Sequence, residues 1–458
     1  MRKKLLTCLS LLSISAIGLA QTTFEPKATI NANTGANPYV MDSGHIDGDA
    51  YADIIIGTLA GNTVEWYKNN GDKTFSMQTL ISTTLTQVSG VKIADLNNDG
   101  NNDIIATSFN GGKLVWFENN GTGGFGTEQI ISNTVAGAGS IVTGTIDAGT
   151  TIDVAIVAYS DNKVVWFSNN GSGVFGSEQT ITSTLTEPGD LDLKDFDGDT
   201  DLDVVVATSA WAAGVVEVFY NDGTGAFTQD INSVSTTGNT YLFDVSFADV
   251  NDDGVLDILV TDDYGEVAWY NKDVSGTYTQ TIISTSMANP GTATAADLDN
   301  DTYNDIVVSN GGTALDDLVW FKSNSSGALL PEISIDNSQH QVFAKTINDF
   351  DNDGDLDIAT VDYQNNHLNW FENKLTTLST QNNSIQELTI YPNPTTNSLY
   401  FKGNITEDLN VSVYNVLGKQ VLNATVNQNQ ALDVSKLNNG VYIIKFNNYN
   451  SAYKFVKQ

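Results

Sequence analysis

Asp95-Leu-Asn97-Asn-Asp99-Gly100-Asn-Asn-Asp103 is followed at once by the β-branched run Ile104-Ile105-Ala-Thr107. The same frame returns as Asp195-Phe-Asp197-Gly-Asp199-Thr-Asp-Leu-Asp203, Asp249-Val-Asn251-Asp-Asp253-Gly254-Val-Leu-Asp257, Asp297-Leu-Asp299-Asn-Asp301-Thr-Tyr-Asn-Asp305 and Asp349-Phe-Asp351-Asn-Asp353-Gly354-Asp-Leu-Asp357. Two weaker copies are His45-Ile-Asp47-Gly-Asp49-Ala-Tyr-Ala-Asp53 and Thr145-Ile-Asp147-Ala-Gly149-Thr-Thr-Ile-Asp153. The closing aspartates fall at 53, 103, 153, 203, 257, 305 and 357, so a unit of about 50 residues occurs seven times.

Outward from the loop, each unit follows one grammar. An apolar strand enters (Val91-Lys-Ile93-Ala), the β-branched run leaves, and Leu114-Val115-Trp116-Phe117-Glu-Asn119-Asn120-Gly121 follows, with a last strand over Phe125 to Ile131. Short β-rich runs between Gly, Asn and Asp turns are hairpin signals, so the spacing predicts four antiparallel strands per unit. The third strand recurs around Trp66, Trp116, Trp166, Trp269, Trp320 and Trp370, with Val218-Phe219-Tyr220 in the fourth unit. Its regularity predicts packing between neighbouring units rather than a ring of sugar platforms. An all-β, seven-bladed β-propeller follows. The seventh unit lacks a fourth strand, and Phe24 to Ile30 aligns with Phe175 to Ile181, so the start of the exported chain is expected to close the last blade.

The loops themselves predict oxygen-ligand cation sites. Alternate residues of a tight loop can turn oxygens towards one centre, and four carboxylates packed without a cation would repel strongly. An EF-hand would place its closing Glu at position 12 between helices, whereas here an Asp closes at position 9 before a β-run. The expected Ca²⁺ ligands are Asp95, Asn97, Asp99 and Asp103; Asp195, Asp197, Asp199 and Asp203; Asp249, Asn251, Asp253 and Asp257; Asp297, Asp299, Asp301 and Asp305; and Asp349, Asp351, Asp353 and Asp357. A sixth set, Asp47, Asp49 and Asp53, loses its first carboxylate to His45, and the third unit loses two to Thr145 and Gly149. Five or six Ca²⁺ ions are therefore expected, each cross-linking two strands in a chain without an internal disulfide.

These residues resemble the FG-GAP/VCBS repeats of integrin-α-like propellers over roughly residues 24 to 375. The resemblance implies a calcium-stapled propeller for adhesion or recognition, and in some members carbohydrate-binding or lyase activity. It implies no single ligand.

The two ends differ in kind from the repeats. Arg2-Lys3-Lys4, an apolar stretch to Leu19 and small residues before Gln21 predict a cleaved signal peptide over 1–20, leaving a chain without Arg or Cys. Residues 21–374 form the expected propeller, 375–386 a polar linker and 387–458 a small C-terminal β-sandwich. The last segment, with Leu388 to Pro394, Val411 to Val421, Leu437 to Phe446 and Tyr453 to Lys457, is similar to the C-terminal sorting domain of the type IX secretion system of Bacteroidota. That resemblance implies contact with the secretion machinery and a secreted or outer-membrane cell-surface location.

With 55 acidic against 20 basic residues, a net charge of −35 disfavours nucleic acid as a partner. No apolar run beyond the first 20 residues is long enough to cross a bilayer. Cys nucleophiles and Arg clamps are absent from the exported chain, and no Gly-x-Ser-x-Gly elbow occurs. His340 and His367 read as surface or packing residues. Departures from the repeat are better candidates: Trp211 in the insertion Ser209 to Val215, the enlarged turn from Thr313 to Asp317, and Tyr264. Strand parity places these turns on the face opposite the calcium loops. The reading is a monomeric, secreted or cell-surface propeller that binds an extracellular polysaccharide or surface protein, with a polysaccharide hydrolase or lyase on that face as the alternative.

Overall fold

The structure is a computed structural model of the chain. It describes residues 21–211, 214–232, 234, 241–312, 317–324, 327–376, 389–402, 409–415, 419–426, 431–446 and 452–458. The expected signal peptide, the linker beyond 376 and residues 313–316 of the enlarged turn lie outside these.

One compact unit spans Thr22–Leu375. Its described residues form seven four-stranded antiparallel sheets, one per repeat. The first strands of these blades are Pro38–Gly44, Val88–Ala94, Ala138–Gly144, Pro188–Lys194, Leu242–Ala248, Pro290–Ala296 and Lys345–Asn348. The second strands, from Asp53–Thr58 to Asp357–Asp362, are buried at every residue in all seven blades. Both faces of such a strand meet a neighbouring blade. That is why Ile54-Ile55-Ile56 or Val204-Val205-Val206 reads as an unbroken apolar run rather than an alternation.

The hydrophobic core is divided among the blade interfaces. Ile55 and Trp66 of blade one pack with Val91 and Ile104 of blade two, and each following cluster joins the next pair of blades. The last cluster unites Ala359, Leu368 and Trp370 of blade seven with Ile54, Ile56 and Tyr67 of blade one. The ring is therefore closed. Its closing strand is Ala28–Asn31, which pairs antiparallel with His367–Phe371 and sets Ala28 opposite Trp370. Just before it, Gln21–Phe24 pairs with Asn373–Thr376.

The recurrent tryptophans lie between blades. Trp66 meets Phe125 of blade two edge to face at 5.8 Å, and Trp370 meets Phe75 of blade one at 5.9 Å. Gly123, at φ +77°, crosses the Trp66 ring so closely that a Cβ there would fall 1.9 Å from it. Gly173 and Gly225 cross Trp116 and Trp166 in the same way. This packing shortens the outer strands. In blade two the strand begins at Gln129 rather than Phe125, because Phe125 leaves the ladder to sit on Trp66 and keeps only an isolated bridge to Asn119.

The second unit, which contains Thr376–Gln458, holds two sheets around one core. Thr389–Tyr391, Ser398–Lys402 and Leu432–Asp433 form one sheet. Gln420–Val426, Leu409–Asn415, Gly440–Phe446 and Ala452–Lys457 form the other. Leu399, Phe401, Val411, Val413, Ile444 and Phe455 share the interior.

Acid loops and the opposite face of the ring

Each acid loop joins a first strand to a second strand. In blade two, Asp95 accepts the amides of Asp99 and Gly100 at 3.2 and 2.9 Å, and Asp99 accepts that of Asn101 at 2.8 Å. The loops beginning at Asp249, Asp297 and Asp349 repeat these bonds. Position six is left-handed in the five full loops: φ is +86° at Gly100, +83° at Gly254 and +97° at Gly354, and Thr200 and Thr302 adopt +83° and +77° without glycine's freedom.

The ninth aspartate has a second task. Asp103 is fully buried, one oxygen accepting Leu96 N at 3.0 Å and the other Asn119 N at 2.8 Å. Asp53, Asp153, Asp203, Asp305 and Asp357 make the same two bonds, while Asp257 takes the side-chain amide of Asn271 in place of the second. Burial pushes the carboxyls of Asp53, Asp103, Asp203, Asp257 and Asp305 up to about 6. Asp153 keeps its bonds although Thr145 and Gly149 bring no carboxylate to its loop. Tying loop to strand thus does not require carboxylates at positions one and five.

Carboxylates at positions one, three and five converge. Oxygens of Asp195, Asp197 and Asp199, of Asp297, Asp299 and Asp301, and of Asp349, Asp351 and Asp353 lie within 4.8 Å of one another. That spread is about twice a Ca–O distance of roughly 2.4 Å, so each trio can surround one hard cation. In the second and fifth loops Asn97 and Asn251 take the third position. Lysines reach three loops: Lys68 contacts Asp47 and Asp49, Lys322 contacts Asp299 and Asp301, and Lys73 reaches Asp351 from blade one.

On the opposite face, the structure brings Trp211 and Tyr264 together. They lie in equivalent turns of blades four and five, with ring centroids 6.1 Å apart, planes tilted by 54°, and exposures of 70% and 58%. Asp262 shapes the Tyr264 turn by accepting the amides of Tyr264 and Glu266 at 2.9 and 2.8 Å.

The ring also encloses a central cavity of about 690 Å³ that sequence reading missed. Tyr39, Phe243 and Phe343 converge there, Tyr39 lying 6.4 Å from Phe243 and 5.7 Å from Phe343, and the two phenylalanines stacking at 5.6 Å. Below them the lining turns polar, with Lys92, Asp190, Asp192, Asp244 and Lys345. Asp42, Asp190, Asp192 and Asp244 each accept an amide from the next blade's first strand, at Ile93, Val245, Phe247 and Ala293. A first strand is a sheet edge, and these carboxylates satisfy donors that no ladder reaches. Burial raises Asp190 and Asp244, with mutual repulsion adding to the rise at Asp244, and burial lowers Lys345. The available signal was a break in the repeat: the row Met41, Val91, Ile141, Leu191, Val245 and Ala293 ends in Lys345.

A closed ring of four-stranded blades whose first hairpins carry acid loops defines a repeat-built β-propeller. Residues 45–106, 95–148, 150–206, 195–260 and 251–308, more than half of the chain, match the FG-GAP-like repeat, and the chain belongs to that family. Residues 389–458 match the secretion system C-terminal sorting domain, which marks the protein as a type IX cargo that is secreted or held at the cell surface. No curated protein matches the chain. Among solved structures, BBS1N in complex with ARL6DN is similar over 77% of this chain and 97% of its own, at 9% identity and a TM-score of 0.55. Virginiamycin B lyase from Staphylococcus aureus is similar over 77% and 99%, at 12% identity and 0.52. An Agrocybe aegerita lectin that recognises non-reducing terminal N-acetylglucosamine covers 66% and 81%, at 18% identity and 0.49. At these identities the likeness concerns the fold alone. Among the described residues, no helix is long and apolar enough to cross a membrane.

Proposed function

We propose that this exported propeller recognises an extracellular glycan on the face opposite its acid loops, and that Ca²⁺ in the loops of blades two, four, five and seven braces the ring. The observation that carries the reading is the Trp211–Tyr264 pair. Two large aromatics from adjacent blades stand exposed beside each other there. Such rings can stack on the apolar faces of sugar rings, while turn carboxylates such as Asp263 can accept hydroxyls. The loops would hold calcium through positions one, three and five, with the ninth aspartate as a buried neighbour. The ion would supply a bridge between first and second strands and take no part in ligand contact.

The test is a glycan array with the chain starting at Gln21, in millimolar calcium and in chelator, with parallel melting curves. Saturable binding to a defined glycan, weakened at least tenfold by Trp211→Ala with unchanged melting, is expected, together with a lower melting temperature in chelator. No retained glycan, or binding indifferent to both Trp211→Ala and Tyr264→Ala, would refute the recognition reading. Hydrolysis or elimination of the bound polysaccharide would replace it by catalysis.

A further inference from the structure

We infer that the acid loops of blades one and six carry a lysine ammonium as their resident cation, in place of a metal ion. The inference rests on the reading of the other loops as calcium sites, and it concerns what distinguishes one loop from another.

The position that decides is the residue after the aromatic pair in each third strand. It is Lys68, Glu118, Ser168, Tyr220, Asn271, Lys322 and Glu372 in blades one to seven. Outside blade five the following residue donates its backbone amide to the ninth aspartate, as Asn69 does to Asp53 and Ser323 to Asp305, so this side chain is anchored beside the loop. Only blades one and six place a lysine there. Lys322 contacts Asp299 and lies 3.5 Å from Asp301, with its side chain 17% exposed. Lys68 contacts Asp47 and lies 2.8 Å from Asp49. Among the described residues, neither lysine has an ion-pair partner outside its loop.

The carboxylates depend on these partners in turn. The Asp299 side chain is 2% exposed, and its Oδ1 accepts no hydrogen bond among the described residues. A divalent ion on Asp299 would have to displace the ammonium and leave it, partly desolvated, beside a second positive centre. In blade one the lysine coincides with the loss of a ligand, because His45 stands in the first position. Lys73 differs. It belongs to the neighbouring blade, is about half exposed, and also contacts Glu372, a carboxylate outside the seventh loop that can keep it when a metal takes Asp351.

Native mass spectrometry of the chain from Gln21, titrated with CaCl₂, counts the ions directly. Four are expected in the wild type rather than five or six. Lys322→Met should bind one more, and should melt well below the wild type in chelator with calcium restoring it. Lys322→Arg, which keeps the cation, should bind four and show no added calcium dependence. A wild type that binds five or more ions, or a Lys322→Met protein with an unchanged count, overturns the inference while leaving the other loops as calcium sites. A wild type that binds none at any concentration overturns both.

Discussion

Replacing Asn119 by alanine should be among the most damaging single changes in the ring. Asn119 is fully buried. Its side-chain amide donates to Ile46 O in the preceding blade at 2.6 Å and to Asn102 O at 2.8 Å, and its Oδ1 accepts Gly121 N at 3.1 Å. Three side-chain hydrogen bonds at about 1 kcal/mol each, plus about 1–2 kcal/mol for a buried carbonyl left unpaired at Ile46, give a loss of roughly 4–5 kcal/mol. The backbone bond from Asn119 to Asp103 survives the change, so calcium stoichiometry should not move. Guanidinium unfolding in saturating calcium and in chelator measures the loss as a shift in midpoint at constant slope. Asn119→Ser should recover little of it, since the buried hydroxyl of Ser323, at this position in blade six, makes no hydrogen bond among the described residues. A loss below about 1 kcal/mol would mean that water replaces these bonds at no cost, and would refute the assignment of this asparagine as the tie between blades.

Thr200→Gly should stabilise the fourth loop. A β-branched residue in the left-handed region costs about 1–2 kcal/mol, and glycine's greater unfolded freedom returns about 0.5–1 kcal/mol of that. A rise in melting temperature of about 1–2 °C is expected, and a fall would show that Thr200 earns its place through a contact. The central cavity should make stability depend on pH in chelator. Asp190 and Asp244 have raised carboxyls, so the folded state holds protons that the unfolded chain releases, and their contribution grows as pH falls from neutrality towards about 4. Lys345 is shifted downward, and its contribution runs the other way, favouring the fold as pH rises towards the ordinary lysine value. Asp244→Asn should reduce, without abolishing, the rise in melting temperature between pH 7.5 and 5.5, because Asp190 and the raised ninth aspartates add to it, and an unchanged slope would exclude Asp244 as a contributor.

What the sequence made legible was whatever the repeat repeats. Position nine, the paired aromatics and the turn glycines return every 50 residues or so, and each return reinforces the others. Even the closing strand could be read, because Phe24 to Ile30 matches a fourth strand that blade seven lacks. The structural bonds of the ninth aspartate could have been read only in blade three, where Asp153 persists although positions one and five carry no carboxylate. Residues that work by departing from the repeat were harder to see. Lys322 looks like a tolerated variant of Glu118 until the third strand is seen to end against the loop. Trp211 and Tyr264 are 53 positions apart and meet only because consecutive blades set equivalent turns side by side. Tyr39, Phe243 and Phe343 come from three different blades, and only ring closure brings them together.

Closure by the first strand also decides how the molecule would bear force. The chain enters the propeller at Gln21–Phe24 and leaves it at Asn373–Thr376, and these two segments are hydrogen-bonded to each other. Ala28–Asn31 then clamps the strand that precedes the exit. For a protein tethered through its C-terminal end and pulled by a ligand on the turn face, tension would enter at Thr376 and meet the paired N-terminal segment before any blade was disturbed. The mechanical strength of the whole ring is then set by its beginning, so removing Gln21–Phe24 would weaken the tether more than most changes within the blades.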